Sequence, residues 1–276
     1  MLDSLDLTHV LTYGGALLFT GALGGFVAGL LGVGGGIVIV PVLFHIFTLL
    51  GIDEDLKMHL TVGTSLSTII LTSAMSVGAH WRRGAVDVVL LKRWGAAVFL
   101  GVVTGTSLAL YVKGPVLMAV FGGVALVVSL HMAFAEPSWR IADKLPGGII
   151  EQALAGGIGG LSAMMGIGGG TLTVPTLSLF GYPIHKAVGT ASAIGFLIGV
   201  PGTIGFVLSG LGENGLPPFS LGYVSLPGLA LIAPASIVLA PFGAWAAHSL
   251  PVRGLKFAFA AFLLVTALRM LWSVFG

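Results

Sequence analysis

The chain contains no cysteine. Disulfides, thiol catalysis and Cys-ligated metal are therefore excluded. Charge is almost as scarce. Asp, Glu, Lys and Arg make up 8% of the residues, where a soluble domain carries about 25%. None of these four occurs between Asp6 and Asp53, or between Glu151 and Lys186. A membrane helix needs roughly 20 apolar residues, so each run is too long for one span and suits two segments. The carboxylates fall near segment ends or in loops. No paired acids are left at depth for hydrolysis or sodium coordination. Basic patches with interleaved aromatics are missing too, which argues against nucleic acid. The opening MLDSLDLTHV is acidic where a signal peptide would be basic, so the first hydrophobic segment is expected to stay and target the chain.

Apolar residues and glycine are plentiful: hydrophobic residues are 56% and Gly numbers 44. The glycines are organised. GLLGVGGGIVIVPVL at 29–43 returns as AMMGIGGGTLTVPTL at 163–177. Gly32, Gly34, Gly35, Gly36 and Pro41 meet Gly166, Gly168, Gly169, Gly170 and Pro175 at one spacing of 134. Each glycine weakens a helix by roughly 1 kcal/mol relative to alanine. Weak points at matching places of two halves point to a binding site in a repeat-built transporter. A second pair, HLTVGTSLS at 59–67 and HKAVGTASA at 185–193, follows in the same order at a spacing of 126. Two copied motifs in one order indicate internal duplication.

The segments read as 13–31, 37–50, 58–81, 94–111 and 115–135, then 149–165, 171–180, 186–209, 223–247 and 255–274. This divides the chain into a membrane repeat at 1–135, a cytoplasmic joint at 136–147 and a second membrane repeat at 148–276. The first two segments of each half either span or form a re-entrant hairpin. Both counts are odd, so the halves face opposite ways. With Arg82 and Arg83 placed inside, parity puts Arg140, Lys144, Lys186, Arg253 and Lys256 inside, and Asp53–Asp55 and Glu213 outside, as the positive-inside rule asks.

The expected fold is an all-α polytopic membrane protein, with two inverted-topology repeats and roughly eight to ten hydrophobic segments. Backbone N–H groups of Gly34, Gly35 and Gly36, and of Gly168, Gly169 and Gly170, open helices there and attract anions. Pro41 and Pro175 are expected helix breaks, since each removes a hydrogen bond. Thr64, Ser65, Thr190 and Ser192 are candidate donors to an oxyanion, against the plainer reading that they bond back to their own helices. His45 is a candidate for proton coupling. The seven histidines form no metal-binding spacing, and neither glycine motif is a P-loop or dinucleotide fingerprint. No cofactor, metal or catalytic residue is expected, and the chain is not expected to be an enzyme. The expected partners are a small anion and the bilayer, and a homodimer stays open. Leucine at Gly35 or Gly169 is expected to abolish transport and leave the fold.

These motifs, with VGTSLSTI at 62–69 and VGTASAIG at 188–195, make the chain resemble the TauE/SafE family of sulfite or organosulfonate exporter-like permeases. The likeness runs from about residue 14 to 275. It implies a multi-pass permease of the bacterial inner membrane that moves small sulfur-containing anions, often outward. The family motif falls on Gly34, Gly35, Gly36, Pro41, Gly168, Gly169, Gly170 and Pro175. Thr171 and Thr173 replace Ile37 and Ile39 in the second copy, so one half-site is expected to be more polar. The function read from this is a secondary transporter working by alternating access. An anion channel and a non-transporting assembly factor are the alternatives.

Overall fold

A computed structural model describes residues 7–31, 35–134, 140–249 and 252–275. Gly34 of the first triple glycine lies outside them. The described chain is an all-α polytopic membrane protein built of α1 (Leu7–Leu31), α2 (Gly36–Leu49), α3 (Glu54–Arg82), α4 (Val88–Tyr111), α5 (Gly114–Phe134), α6 (Gly148–Met165), α7 (Gly170–Leu179), α8 (Ile184–Gly210), α9 (Leu226–Ser249) and α10 (Val252–Phe275). Ahead of α9 sits a minimal antiparallel pair, β1 (Ser220–Leu221) and β2 (Val224–Ser225). Five of the helices are long and apolar enough to cross a membrane.

Two helices begin earlier than the hydrophobic pattern suggests, each for a local reason. The Asp53 side chain caps α3 by accepting from Asp55 N–H, and Glu54 and Asp55 suit the positive end of the helix. Asp87 accepts from Leu90 N–H at 3.0 Å. That cap draws Val88 to Arg93, read above as loop, into α4.

The helix pairs are regular. α1 packs along α9 and α4 along α6; α3 crosses α8, and α5 lies against α10. Exchanging each of the first five helices for the helix five places later returns the same pairs. The secondary pairs α3 with α9 and α4 with α8 also exchange.

The connections gather at two ends. At one end, Ile141 N–H donates to Leu179 O at 2.8 Å and Tyr182 O–H donates to Asp87. This end carries Arg82, Arg83, Arg93, Arg140 and Lys144 and is called the basic end. Here Glu151, 1% exposed, accepts from Trp94 Nε1 and Arg93 Nε, both at 2.7 Å. A buried carboxylate needs such partners. At the other end, a Cβ on Gly114 would stand 2.7 Å from Glu54 O and one on Gly215 would stand 3.4 Å from Leu56. Asp53, Glu54, Asp55 and Glu213 make this the acidic end.

α1 runs parallel to α9, with Gly14 facing Leu231 and Gly25 facing Ser236. α4 and α6 likewise run parallel, with Gly101 facing Gly156 and Gly105 facing Gly160. At 1.5 Å per residue α2 is about 21 Å long and α7 about 15 Å, too short to cross a core of about 30 Å. The pair α1–α2 therefore enters from and returns to the acidic end, and α6–α7 the basic end. Both are re-entrant hairpins. Their tips meet: a Cβ on Gly36 would stand 2.7 Å from Gly166 O and 2.9 Å from Ile167 Cα. Gly166 itself closes α6 in the left-handed conformation, with φ 67°, which a side chain would resist.

The seam between α4 and α6 gives a test. A Cβ on Gly105 would stand 2.6 Å from Gly160 Cα, whereas nothing lies within 4 Å of one on Gly157. Gly105→Ala is expected to cost about 1–3 kcal/mol through overpacking. Gly157→Ala is expected to cost nothing, its helix gaining up to about 1 kcal/mol. Thermal unfolding midpoints in detergent check both.

Candidate functional site

A cavity of about 800 Å³ starts at the hairpin tips. Gly35 borders it from the first hairpin, and Gly168, Gly169 and Gly170 from the second. Gly35 and Gly169 cap α2 and α7. The first turn of each helix thus begins at the cavity, with N–H groups that have no partner inside the helix. From the glycines the cavity runs between α3 and α8 toward the basic end, past Ser73 and Ser76 to His80, Arg83 and His185. Ser236 and Trp245 of α9 form part of the wall. Ser76 and Ser192 face each other across it with their hydroxyl oxygens 2.9 Å apart, and Ser192 also donates to Val188 O at 3.0 Å. No carboxylate stands among the described residues that line the cavity.

Of the residues singled out in the sequence, Gly35, Gly168, Gly169, Gly170 and Ser192 border this space. The others do not. Gly36 is sealed against the second tip. Ser65 is fully buried and donates to Gly166 O at 2.6 Å, satisfying the carbonyl at the end of α6. Thr64 and Thr190 are fully buried as well, and they correct the reading of a ligand pair. Thr64 Oγ1 accepts from Ser225 N–H at 2.9 Å, and Thr190 Oγ1 accepts from Asp87 N–H at 2.9 Å. Ser225 and Asp87 are the residues that precede α9 and α4. Each also caps its helix through the side chain, Ser225 for Gly228 N–H and Asp87 for Leu90 N–H. The glycine beside each threonine completes the joint. A Cβ on Gly63 would collide with Tyr223 O, and one on Gly189 with Ala85 O. The Gly-Thr pair in each half is thus a clamp on the start of a helix in the other half.

Pro41 and Pro175 lie inside α2 and α7, which continue past them. The interruptions fall at the glycines ahead of these prolines, because a proline within the first turns removes only one bond. His45 sits in the latter part of α2, edge-on to Phe44 with ring centroids 6.0 Å apart, and does not line the cavity. The expected Leu substitution at Gly169 is also revised. A Cβ there would stand 2.7 Å from Ala191 O and 2.8 Å from Gly195 N, so leucine would push α7 off α8. Gly168 is the better probe, since its nearest neighbour would be the Ile69 side chain at 3.5 Å.

Ser73, Ser76, Ser236 and His80 are not among the residues singled out in the sequence. At the spacing of 126, Ser73 and Ser76 correspond to Gly199 and Gly202. A search for duplicated residues passes over such positions. Arg83 was read mainly as a topology signal, and His185 as a segment end.

The Thr190–Asp87 clamp is held further by Tyr182 at the basic end. The Tyr182 hydroxyl first, then the Leu90 N–H, hold the Asp87 carboxyl below its usual range. Burial, followed by the Asp87 carboxylate, pushes the Tyr182 phenol well up.

Re-entrant hairpins meeting beside a cavity, within a bundle of apolar helices, define a multi-pass membrane protein of the transporter class. The chain belongs to the family described as "Sulfite exporter TauE/SafE", whose model matches residues 17–270. It is 33% identical over 263 residues to a "Probable membrane transporter protein" of Haemophilus influenzae, covering 92% of this chain and 96% of that one. A probable membrane transporter protein of Methanocaldococcus jannaschii is 27% identical over 231 residues, covering 80% of this chain and 81% of its own. The probable membrane transporter YunE of Bacillus subtilis is 31% identical over 210 residues, covering 67% and 75%. No solved structure matches.

Two tests follow from the clamps. Thr64→Val and Thr190→Val each leave a buried N–H without a partner, at about 1–3 kcal/mol. Both are expected to lower the thermal midpoint to a similar extent. The Asp87–Tyr182 bond gives a pH signature. Because the folded carboxyl titrates below its ordinary value of 3.8, its contribution is complete above that value and is lost as pH falls through the lowered one. The midpoint advantage of wild type over Tyr182→Phe is expected to be full at neutral pH and to shrink below 3.8.

Proposed function

We propose that the chain is a secondary transporter that exports a small sulfur-containing oxyanion, such as sulfite or an organosulfonate, across the bacterial inner membrane. The observation that carries this reading is one cavity bordered by both glycine tips. Two helix starts, entering from opposite ends, border the same space at Gly35 and at Gly168, Gly169 and Gly170, and a helix start carries N–H groups without helical partners. Such groups favour an anion. The Ser73 hydroxyl adds a donor without adding charge, while Ser192 donates to Val188 O and so receives the hydrogen of Ser76. Arg83, His80 and His185 at the mouth raise the local concentration of anions.

The exchange of helix pairs supports two inverted repeats, 1–135 and 148–276, joined by 136–147. In such transporters one repeat rocks against the other around a site near the midplane. The cavity opens at the basic end, which the positive-inside rule assigns to the cytoplasm. An anion entering there would move outward with an inside-negative potential, worth about 2.3 kcal/mol per 100 mV.

The test is counterflow in proteoliposomes with sulfite, thiosulfate, sulfoacetate and taurine in parallel. At least one anion is expected to show counterflow; a channel would carry flux without it. Gly168→Leu is expected to fill the cavity and abolish exchange, with an unchanged elution profile in detergent. Arg83→Gln is expected to slow exchange several-fold at low salt and much less at high salt. Wild-type exchange by Gly168→Leu would remove the glycine tips from the binding site.

A further inference from the structure

The end of the molecule away from the cavity holds a histidine in an unusual setting. His59 of α3 is 6% exposed. Its Nδ1 lies 2.9 Å from Asp55 O, and its Nε2 lies 2.8 Å from Ala109 O near the end of α4. Both partners are carbonyl oxygens, which only accept. A neutral imidazole has one N–H, so one ring nitrogen would turn its lone pair toward a carbonyl lone pair, in a buried contact at Nε2 or a part-buried one at Nδ1. Only a ring with hydrogen on both nitrogens satisfies both contacts.

We propose that His59 is a proton-binding site: holding two hydrogens, it latches α3 to the end of α4 and closes the acidic end. Loss of either hydrogen leaves one contact repulsive. Release of the proton to solvent and separation of α3 from α4 therefore belong to one event.

The surroundings favour a cation there. Glu54 and Asp55 stand in the first turn of α3. Lys57 is bonded to Glu54 and lies 4.6 Å over the Phe44 ring of α2, with His45 next along α2. β2 brings Tyr223, its ring 5.2 Å from that of His59. Burial, then the Glu213 carboxylate, pushes the Tyr223 phenol up, so it stays neutral beside the imidazole. α8 presents Phe206 at 6.4 Å, and α4 presents the Ala109 carbonyl. Lys113 precedes α5. Three carboxylates stand against two lysines. The aromatic faces of Phe206 and Tyr223 suit a cation further.

The matching histidine of the second copy, His185, reaches the open cavity. One histidine of the pair is thus sealed while the other is accessible. If the two halves exchange conformations, the two histidines exchange environments, and His59 takes up and releases its proton at the acidic end once per cycle, which ties the cycle to pH without carrying a proton across. That coupling role rests on the transporter reading; the proton site itself does not.

Nitrogen NMR of 15N-histidine-labelled protein in nanodiscs at about pH 8, where an ordinary imidazole is neutral, tests the site. One pair of ring signals, absent from His59→Gln, is expected to show hydrogen on both nitrogens. A neutral single-tautomer pattern for His59 overturns the proposal. If His59→Gln does not reach the membrane, the same spectrum is taken with His9, His45, His80, His131, His185 and His248 each changed to Gln. Sulfite counterflow between about pH 6 and 8.5 then tests the coupling. Wild type is expected to change several-fold with pH and His59→Gln to lose that change. Superimposable profiles overturn the coupling. Failure of every anion to exchange would count against the transporter reading and leave the NMR result to decide the site.

Discussion

Bare backbone against bare backbone is the contact on which this structure depends. At the midpoint of the bundle, Gly36 of one hairpin rests on Gly166 and Ile167 of the other. Nothing with a side chain fits there. A hairpin that stops inside a bilayer leaves peptide groups that lipid cannot satisfy, and each costs several kcal/mol if left alone. Two hairpins that stop at the same depth solve this for each other. Ser65 satisfies Gly166 O, Gly35 O accepts from Val38 and Ile39, and Gly35, Gly168, Gly169 and Gly170 border the cavity. The requirement for glycine at the tips and the presence of a cavity beside them are therefore one constraint.

The same economy explains the second repeated motif. A joint is made at each end where a helix of one half of the chain meets the other half. Gly63 with Thr64, and Gly189 with Thr190, supply it twice. The glycine admits a carbonyl and the threonine accepts the next N–H but one along. Ser225 and Asp87, although different residues, fill the same capping position at these joints. The repeat is preserved in geometry where it has drifted in sequence. The two joints differ in one respect with chemical consequence. Asp87 is charged and holds Tyr182, whereas the other joint carries Ser225 and leaves its neighbour Tyr223 to Glu213. At the basic end one carboxylate both caps the helix and holds the tyrosine, whereas at the acidic end Ser225 caps and Glu213 faces the tyrosine.

Much of this was legible in the residues. The paired glycines placed both helix starts to within a residue, because a run of glycine in an apolar segment has few other uses. The basic loops were expected on one face, and Arg82, Arg140 and Lys144 do gather at one end. The choice between spanning and re-entrant helices was not legible. It depends on lengths fixed by tertiary contact, such as the ten residues of α7. The role of Thr64 and Thr190 was also hidden. A hydroxyl in an apolar helix reads alike whether it faces a ligand or a backbone N–H from a distant helix. The serines of the cavity were missed for the opposite reason: duplication was the guide, and Ser73 and Ser76 are where the halves differ.

Symmetry and asymmetry therefore divide the work. What recurs in both halves is what the fold needs: glycine at the tips, the Gly-Thr joints and the parallel helix seams. What occurs once is what distinguishes the two ends in this conformation. Serines and Arg83 line the open side of α3. On the α8 counterparts of those serines stand Gly199 and Gly202, which pack against Ile70 and Leu66. At these positions α8 thus closes on α3, while the α3 serines border the cavity. In a molecule made of two equal frames, selectivity must come from residues the frames do not share.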